Sequence, residues 1–218
     1  EPDKNAIRRN AQSVPKTLAK LRRGQKVVIV TWGDSVTAGG DASTPDLAYP
    51  SLFITRLRER FPKSEIVHHN AGIGGSNTMG RLPNIEKEVL SFKPDLVTIE
   101  FVNDMGFSEE VLRNNYTSAF EQIRAVGAEP LLITPHFVMP SWMDLPHPRG
   151  KETRKAITIL RDLCVEQKVG VADTSQRWEH LDQEGIPYIT LLVNGINHPD
   201  DRGHEMFVRD LLSFFPKR

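Results

Sequence analysis

Five short apolar runs alternate with longer helical patterns along this 218-residue chain, and this rhythm limits its fold more than any other feature. Runs rich in Val, Ile and Leu are typical of strands that a parallel sheet buries on both faces. The candidate strands are residues 26–32, 65–69, 95–101, 130–134 and 170–173, of which the first, third and fourth are almost continuously apolar. The helical patterns are residues 50–61, 108–126, 150–168 and 201–215. Strands alternating with helices predict an α/β fold, a three-layer α/β/α sandwich with right-handed crossovers.

The charge balance and the single cysteine exclude several classes of protein. Lys and Arg together number 28, as do Asp and Glu, so a broad nucleic-acid-binding surface is not expected. No apolar run approaches the about 20 residues that span a bilayer. Cys164 has no second cysteine to pair with, and its helical pattern predicts a core position. Oligomeric state cannot be read from the sequence.

The first 24 residues are polar and helix-prone, and they predict an N-terminal helical arm (1–24) before a single domain (25–218). The alternative is that these residues are the remaining end of a longer protein. The start, EPDKNAIRRN, has no apolar signal-peptide core, but a mature end left by cleavage would look the same. The location stays open, with secreted or periplasmic slightly favoured over cytoplasmic.

Chemically reactive residues follow the predicted strands, as expected where a parallel sheet collects functional groups at its carboxyl edge. The first strand is followed by GDSVTAGG, residues 33–40. Ser35 in this segment lies where a helix would begin, and unpaired backbone N–H groups there favour developing negative charge. Ser35 is therefore a candidate nucleophile. The alternative is that it only caps the helix.

Two further segments supply candidate donors for an oxyanion. The glycine-rich NAGIGGSNT (70–78) follows the second strand, and its glycines permit close approach of the backbone to a ligand. Its spacing fits neither a dinucleotide fingerprint nor a P-loop, so an oxyanion-binding N–H is a better use than phosphate binding. Asn103 in VND follows the third strand, where its amide could donate to an oxyanion. The alternative for Asn103 is an ordinary turn.

The best candidate base is His198 in NHPDDRGH. Pro199 fixes the chain just before the last helix and should hold His198 rigidly, and histidine is the natural base near neutral pH. No other His, Cys, Asp or Glu residues have a convincing metal-ligand spacing, so we expect no metal.

These segments together resemble the blocks of the SGNH (GDSL-type) serine hydrolase superfamily, in the family's order, over about residues 25–215. The resemblance implies a flavodoxin-like fold with five parallel strands in the order 2-1-3-4-5 and no cofactor. It implies that Ser35 is the nucleophile and one oxyanion donor, that Gly75 and Asn103 supply two further donors, and that His198 is the base.

Two positions depart from the family pattern. Phe101 stands where the third block usually has glycine, and this ring is expected to reshape the wall beside the oxyanion site. Gly195 stands where the triad aspartate is usual. Three replacements remain open: a backbone carbonyl that orients His198, the side chain of Asn194, or an acid from elsewhere. Glu100, at the end of the third strand, is the preferred acid, with a solvated or Arg-paired rim position as its alternative.

The proline-rich and aromatic segment 134–150 follows the fourth strand and is expected to overhang the site. Its candidate contacts with substrate are His136, Phe137, Trp142 and His147. Candidate polar contacts elsewhere are Asp34, Thr37, Asn77 and Asp104. No extended hydrophobic lid is evident, so we expect a serine esterase acting on a small-molecule or glycan ester, with a short acyl group such as acetyl. The alternatives are a short-chain lipid esterase or thioesterase, and a degenerate member that only binds an acylated ligand.

Overall fold

A computed structural model describes residues 10–139 and 150–217. The strands are β1 (Val27–Gly33), β2 (Ile66–Gly72), β3 (Leu96–Glu100), β4 (Glu129–Ile133) and β5 (Gly170–Ala172). The named helices are α1 (Pro15–Arg22), α2 (Ser35–Ala38), α3 (Tyr49–Arg60), α4 (Thr78–Arg81), α5 (Ile85–Glu88), α6 (Glu109–Ala125), α7 (Gly150–Gln167), α8 (Thr174–Gln183) and α9 (Asp201–Leu212). Single 3₁₀ turns are at Pro45–Leu47, Leu82–Asn84, Leu90–Phe92, Val102–Asp104 and Tyr188–Leu191.

The five strands form one parallel sheet in the order β2-β1-β3-β4-β5, which confirms the predicted topology. Side chains alternate across the sheet, as Ile29 and Val30 of β1 illustrate. Ile29 packs in the core beneath α1, α3 and α9, whereas Val30 packs in the core beneath α6 and α7. The parallel order brings the carboxyl ends of β1, β2 and β3 side by side, which is where the candidate residues lie.

The polar N-terminal segment contributes a helix that packs on the domain. Leu18 and Leu21 of α1 are buried in the core. The Glu129 carboxylate accepts hydrogen bonds from the backbone N–H groups of Lys16 and Thr17, both at 2.8 Å, which satisfies donors in the first turn of α1. The division into an arm (1–24) and a domain (25–218) stays a prediction.

Candidate active site

The chain turns sharply after β1, and helix α2 begins at Ser35. Asp34 caps this helix, because one of its carboxyl oxygens accepts the backbone N–H of Val36 at 3.0 Å. Its other oxygen accepts the backbone N–H of Asn103 at 3.1 Å, which ties the turn after β3 to the turn after β1. A side chain on Gly33 would overlap the first turn of the helix, so glycine lets α2 lie directly on the sheet. Ser35 is therefore held at the carboxyl edge of β1.

His198 lies in the loop before α9, and the side chain of Asn194 holds that loop. Asn194 Oδ1 accepts the backbone N–H groups of residues 196, 197 and 198 at 2.9, 2.9 and 3.0 Å. Nε2 of His198 lies 2.9 Å from Ser35 Oγ. The structure thus brings the predicted nucleophile and the predicted base into hydrogen-bonding distance. Asn194 positions the backbone of His198 and does not orient its ring.

The other ring nitrogen of His198 contacts a carboxylate that the sequence analysis did not consider. Nδ1 lies 3.0 Å from Oδ2 of Asp41. Asp41 has φ of 59°, in the left-handed region that residues other than glycine rarely adopt. An acid in the loop that follows Ser35, directly after Gly39 and Gly40, is the sequence signal that could have indicated this contact.

Glu100, the acid preferred from the sequence, does not contact His198. Its carboxyl group is fully buried and accepts the hydroxyl hydrogen of Thr37 at 3.0 Å. Burial raises the pKa of Glu100 well above its ordinary value, and the charge of Asp34 raises it further. Burial also raises the pKa of Asp34 to about 7 and that of Asp104 to about 6. These three carboxyl groups are buried and do not form a solvated rim.

The two predicted oxyanion donors lie beside the nucleophile turn. One side-chain N–H of Asn103 donates to the carbonyl of Ser76 at 2.9 Å, and the amide carries a second N–H. Gly75 has φ of 72°, which favours glycine. A Cβ built on the neighbouring Gly74 would lie 4.0 Å from Cβ of Ser35, so this loop passes next to the nucleophile. Ser35, Gly75 and Asn103 therefore share one rim.

The buried side chain of Arg81 links the glycine-rich loop after β2 to the end of the sheet. Arg81 donates to the carbonyl oxygens of Gly33 at 3.2 Å and Ala71 at 2.8 Å, and to the hydroxyl of Ser76 at 3.2 Å. Its charge is balanced by Glu88, at 2.6 Å. The loop that carries Gly75 is thus fixed relative to the end of β1.

The structure corrects several expected substrate contacts. His136 is fully buried, and its Nε2–H donates to the carbonyl of Asn197 at 2.9 Å, next to His198. Burial lowers the pKa of His136 to about 3, so its ring is neutral. His136 therefore supports the loop that carries His198 and is not exposed to a substrate. The other expected contacts that are buried are Asp34, Thr37, Asp104 and Phe137.

Asn77 is half-buried and caps α4, where its side-chain oxygen accepts the backbone N–H of Gly80 at 2.9 Å.

Phe101 was expected to reshape the wall beside the oxyanion site, and this expectation is wrong. Its ring is fully buried edge-to-face against Trp32, with the ring centroids 4.9 Å apart. Two residues of the expected overhang, Trp142 and His147, lie outside the described residues.

Cys164 is buried, as predicted, and burial raises the pKa of its thiol to about 12. Within residues 10–139 and 150–217, no group of three or more His, Cys, Asp or Glu side chains is arranged to hold a metal ion. Among the helices of that same part of the chain, none is both long and apolar enough to cross a membrane.

Solved structures with the same fold include two esterases. A two-domain esterase (CEX) active on acetylated mannans superposes with a TM-score of 0.77 at 20% identity, and the match covers 93% of this chain and 52% of that one. The chain therefore spans about half the length of that esterase. A variant of Axe2, an acetylxylan esterase from Geobacillus stearothermophilus, superposes with a TM-score of 0.72 at 20% identity, covering 88% of this chain and 95% of that one. Likeness at this identity establishes the fold.

Comparison with curated protein sequences gives no match. The family model of the GDSL-like lipase/acylhydrolases, in contrast, matches residues 31–206, a span that includes both Ser35 and His198. Because this match covers most of the chain, the chain belongs to the GDSL-like lipase/acylhydrolase family.

Proposed function

We propose that this protein removes a short acyl group, acetyl in the first instance, from an ester of a carbohydrate alcohol. The single observation that carries the proposal is the hydrogen bond of 2.9 Å between Ser35 Oγ and His198 Nε2, at the rim where Gly75 and Asn103 also lie. A nucleophile paired with a base, beside preorganised donors, is the arrangement that acyl transfer requires.

In the proposed reaction, Nε2 of His198 takes the proton of Ser35 as Oγ attacks the ester carbonyl. The backbone N–H groups of Ser35 and Gly75 and the free side-chain N–H of Asn103 stabilise the negative oxygen of the tetrahedral intermediate. The imidazolium then protonates the departing alcohol, which leaves an acyl-enzyme on Ser35. Water, activated by the same histidine, hydrolyses that ester and releases the carboxylate.

Two observations support a small acyl group on a bulky polar alcohol. Gly74 and Gly75 are exposed beside the half-buried Ser35, so the oxyanion loop presents open backbone to a large leaving group. Of the two structures of similar fold, one is an esterase active on acetylated mannans and the other is a catalytic mutant of an acetylxylan esterase. A rival, a lipid esterase or thioesterase, is favoured by two exposed apolar side chains near that loop, Ile73 (49% exposed) and Met79 (54% exposed).

A substrate panel separates these candidates. We expect kcat/KM to be highest for acetylated oligosaccharides of xylose or mannose, and to fall along p-nitrophenyl esters from acetyl to longer chains. The assay measures released acetate and p-nitrophenolate with the wild-type protein and with Ser35→Ala as the blank. A preference for octanoyl or longer esters, or for acyl thioesters, would replace the carbohydrate proposal with the corresponding rival.

Asn103→Ala tests the oxyanion site without touching the nucleophile or the base. Removing one oxyanion donor typically lowers kcat by about 10²- to 10³-fold, and we expect that loss here with little change in KM. Steady-state kinetics on p-nitrophenyl acetate provide the measurement. Asn77→Ala is the matched control, because Asn77 caps a neighbouring helix and is not one of the proposed oxyanion donors. Equal effects of the two substitutions would remove Asn103 from the oxyanion site.

A further inference from the structure

The carboxylate that orients the catalytic histidine is expected three residues before it, where this chain has Gly195. Gly195 has no side chain and lies at φ of 64°. Asp41 supplies a carboxylate at the correct ring nitrogen instead, with Oδ2 3.0 Å from Nδ1 of His198. We propose that Asp41, from the loop that follows the nucleophile helix, is the positioning acid of this esterase. This inference rests on the proposed function, because it assigns a role within the same reaction.

The contact fixes the tautomer that the reaction needs. A carboxylate can only accept, so Nδ1 of His198 carries the hydrogen and Nε2 is left free to accept the proton of Ser35. During attack the proton moves from Ser35 Oγ to Nε2, while Nδ1–H stays bonded to Asp41. The carboxylate stabilises the resulting imidazolium and takes no proton itself.

The backbone before Asp41 turns back toward Ser35, and this turn places the Asp41 carboxylate beside His198. The N–H of Gly40 donates to the Ser35 carbonyl at 2.8 Å, which closes the turn after α2. A Cβ on Gly40 would lie 3.1 Å from the ring of His198, so a larger residue would press on the base. Asp41 itself is held at φ of 59°, a backbone conformation that costs free energy and that clusters at functional sites.

Both sides of Asp41 are tied to α9, the helix that follows the base. On one side, Ser43 donates from its backbone N–H and its hydroxyl to the Asp201 carboxylate, at 2.9 and 2.6 Å. On the other side, Nε2–H of His204 donates to the Gly40 carbonyl at 3.3 Å. The other nitrogen of His204 accepts the backbone N–H of Tyr49 at 3.2 Å, which fixes that tautomer. One helix therefore holds the acid loop and adjoins the loop of the base.

No other described carboxylate forms a hydrogen bond with His198. Glu100 is buried on Thr37, and Asp200, two residues after His198, accepts the backbone N–H of Gly203 at the start of α9. Asp41 is also accessible to solutes, because its side chain is 39% exposed. An added small carboxylate can therefore reach the space that Asp41 would vacate.

Two substitutions at Asp41 separate its role from a structural one. In Asp41→Asn the amide can donate to Nδ1, which favours the tautomer with hydrogen on Nε2 and blocks proton transfer from Ser35. We expect kcat to fall by about 10²- to 10⁴-fold with KM nearly unchanged, the range set by triad aspartates and by the partial exposure of this one. Asp41→Gly removes the backbone strain at this position and lets water bind Nδ1 of His198. The kcat of Asp41→Gly should fall less than that of Asp41→Asn, and added formate should restore part of the lost activity.

Matched controls use other carboxylates. Asp46→Asn removes the same charge from an exposed site in the same loop, and we expect activity close to wild type. Glu100→Gln should lose far less activity than Asp41→Asn, because Glu100 does not contact the base. The proposal is overturned if Asp41→Asn loses less than about tenfold in kcat, or if formate gives Asp41→Gly no recovery. It is also overturned if Glu100→Gln shows the larger loss.

The outcome is separable from that of the proposed function. If Asp41→Asn is active while Ser35→Ala and His198→Ala are inactive, only the role of Asp41 fails. If Ser35→Ala keeps wild-type activity, the proposed reaction itself fails. Unfolding midpoints of the Asp41 variants, measured in parallel, distinguish a catalytic loss from a folding defect.

Discussion

Ser35→Ala is expected to reduce turnover of p-nitrophenyl acetate to a small residual rate. That residual rate is what the oxyanion donors and substrate binding supply without a nucleophile. In serine hydrolases, removing the nucleophile costs about 10⁴-fold or more in kcat, because no covalent intermediate can form. Alanine removes only the Oγ that contacts His198, so the fold should be retained. Steady-state kinetics and an unfolding curve of the same preparation measure both quantities.

The control for this prediction is the stability of the variant. Apart from its contact with His198, no side-chain hydrogen bond of Ser35 is found in the described structure, so the unfolding midpoint should stay near that of the wild type. Wild-type kcat in Ser35→Ala would mean that the serine is not the nucleophile, and the reaction would need a different assignment.

His198→Ala is the second change with a very large expected effect. In serine hydrolases the base and the nucleophile act as one unit, so the loss of His198 should lower kcat about as much as the loss of Ser35. For the same reason the double variant Ser35→Ala/His198→Ala should be no slower than either single variant. The measurement is kcat for the three variants on one substrate at one pH.

His180→Ala is the matched control for the second prediction, because His180 is exposed on α8 and contacts no part of the site. It should retain wild-type kcat. If the losses of the two single variants multiplied in the double variant, Ser35 and His198 would be acting independently, and a hydrogen-bonded nucleophile and base would not explain the activity.

The alternation of apolar runs with helical patterns is the reason that the fold class could be predicted from the sequence, whereas the strand order was implied by the family resemblance. The five candidate strands were all correct, with ends within a few residues of those observed, and the three most apolar of them, β1, β3 and β4, are buried along nearly their whole length. The short helices α2, α4 and α5 have too few residues for a periodic pattern, and α8 was missed because its mean polarity hides a narrow buried stripe around Trp178. Local sequence determines the presence of such short helices only weakly, so their formation depends on tertiary packing.

The geometry of the candidate site was predictable only in part. Ser35, Gly75, Asn103 and His198 each follow a strand or precede a helix, so topology alone brings them to one edge. The strand order also placed Glu100 next to β1 correctly, since it pairs with Gly33. Topology does not determine which way a side chain points, and Glu100 turns beneath α2 toward Thr37.

Asp41 was missed for a related physical reason. Its contact with His198 depends on a left-handed backbone at Asp41 and on a turn closed by Gly40, and neither has a periodic signature. The buried positions of Asp34 and His136 were missed because polar residues are ordinarily exposed. Both form hydrogen bonds with backbone groups: Asp34 accepts the N–H groups of Val36 and Asn103, and Nε2–H of His136 donates to the carbonyl of Asn197.

The most direct test of a serine nucleophile at position 35 is covalent labelling with an organophosphate ester such as diethyl p-nitrophenyl phosphate. The central claim predicts loss of activity in step with the release of p-nitrophenolate and a mass increase of one diethyl phosphoryl group per chain. Peptide mapping should place that group on Ser35, and Ser35→Ala should remain unlabelled. A label on another residue, or equal labelling of Ser35→Ala, would contradict the account.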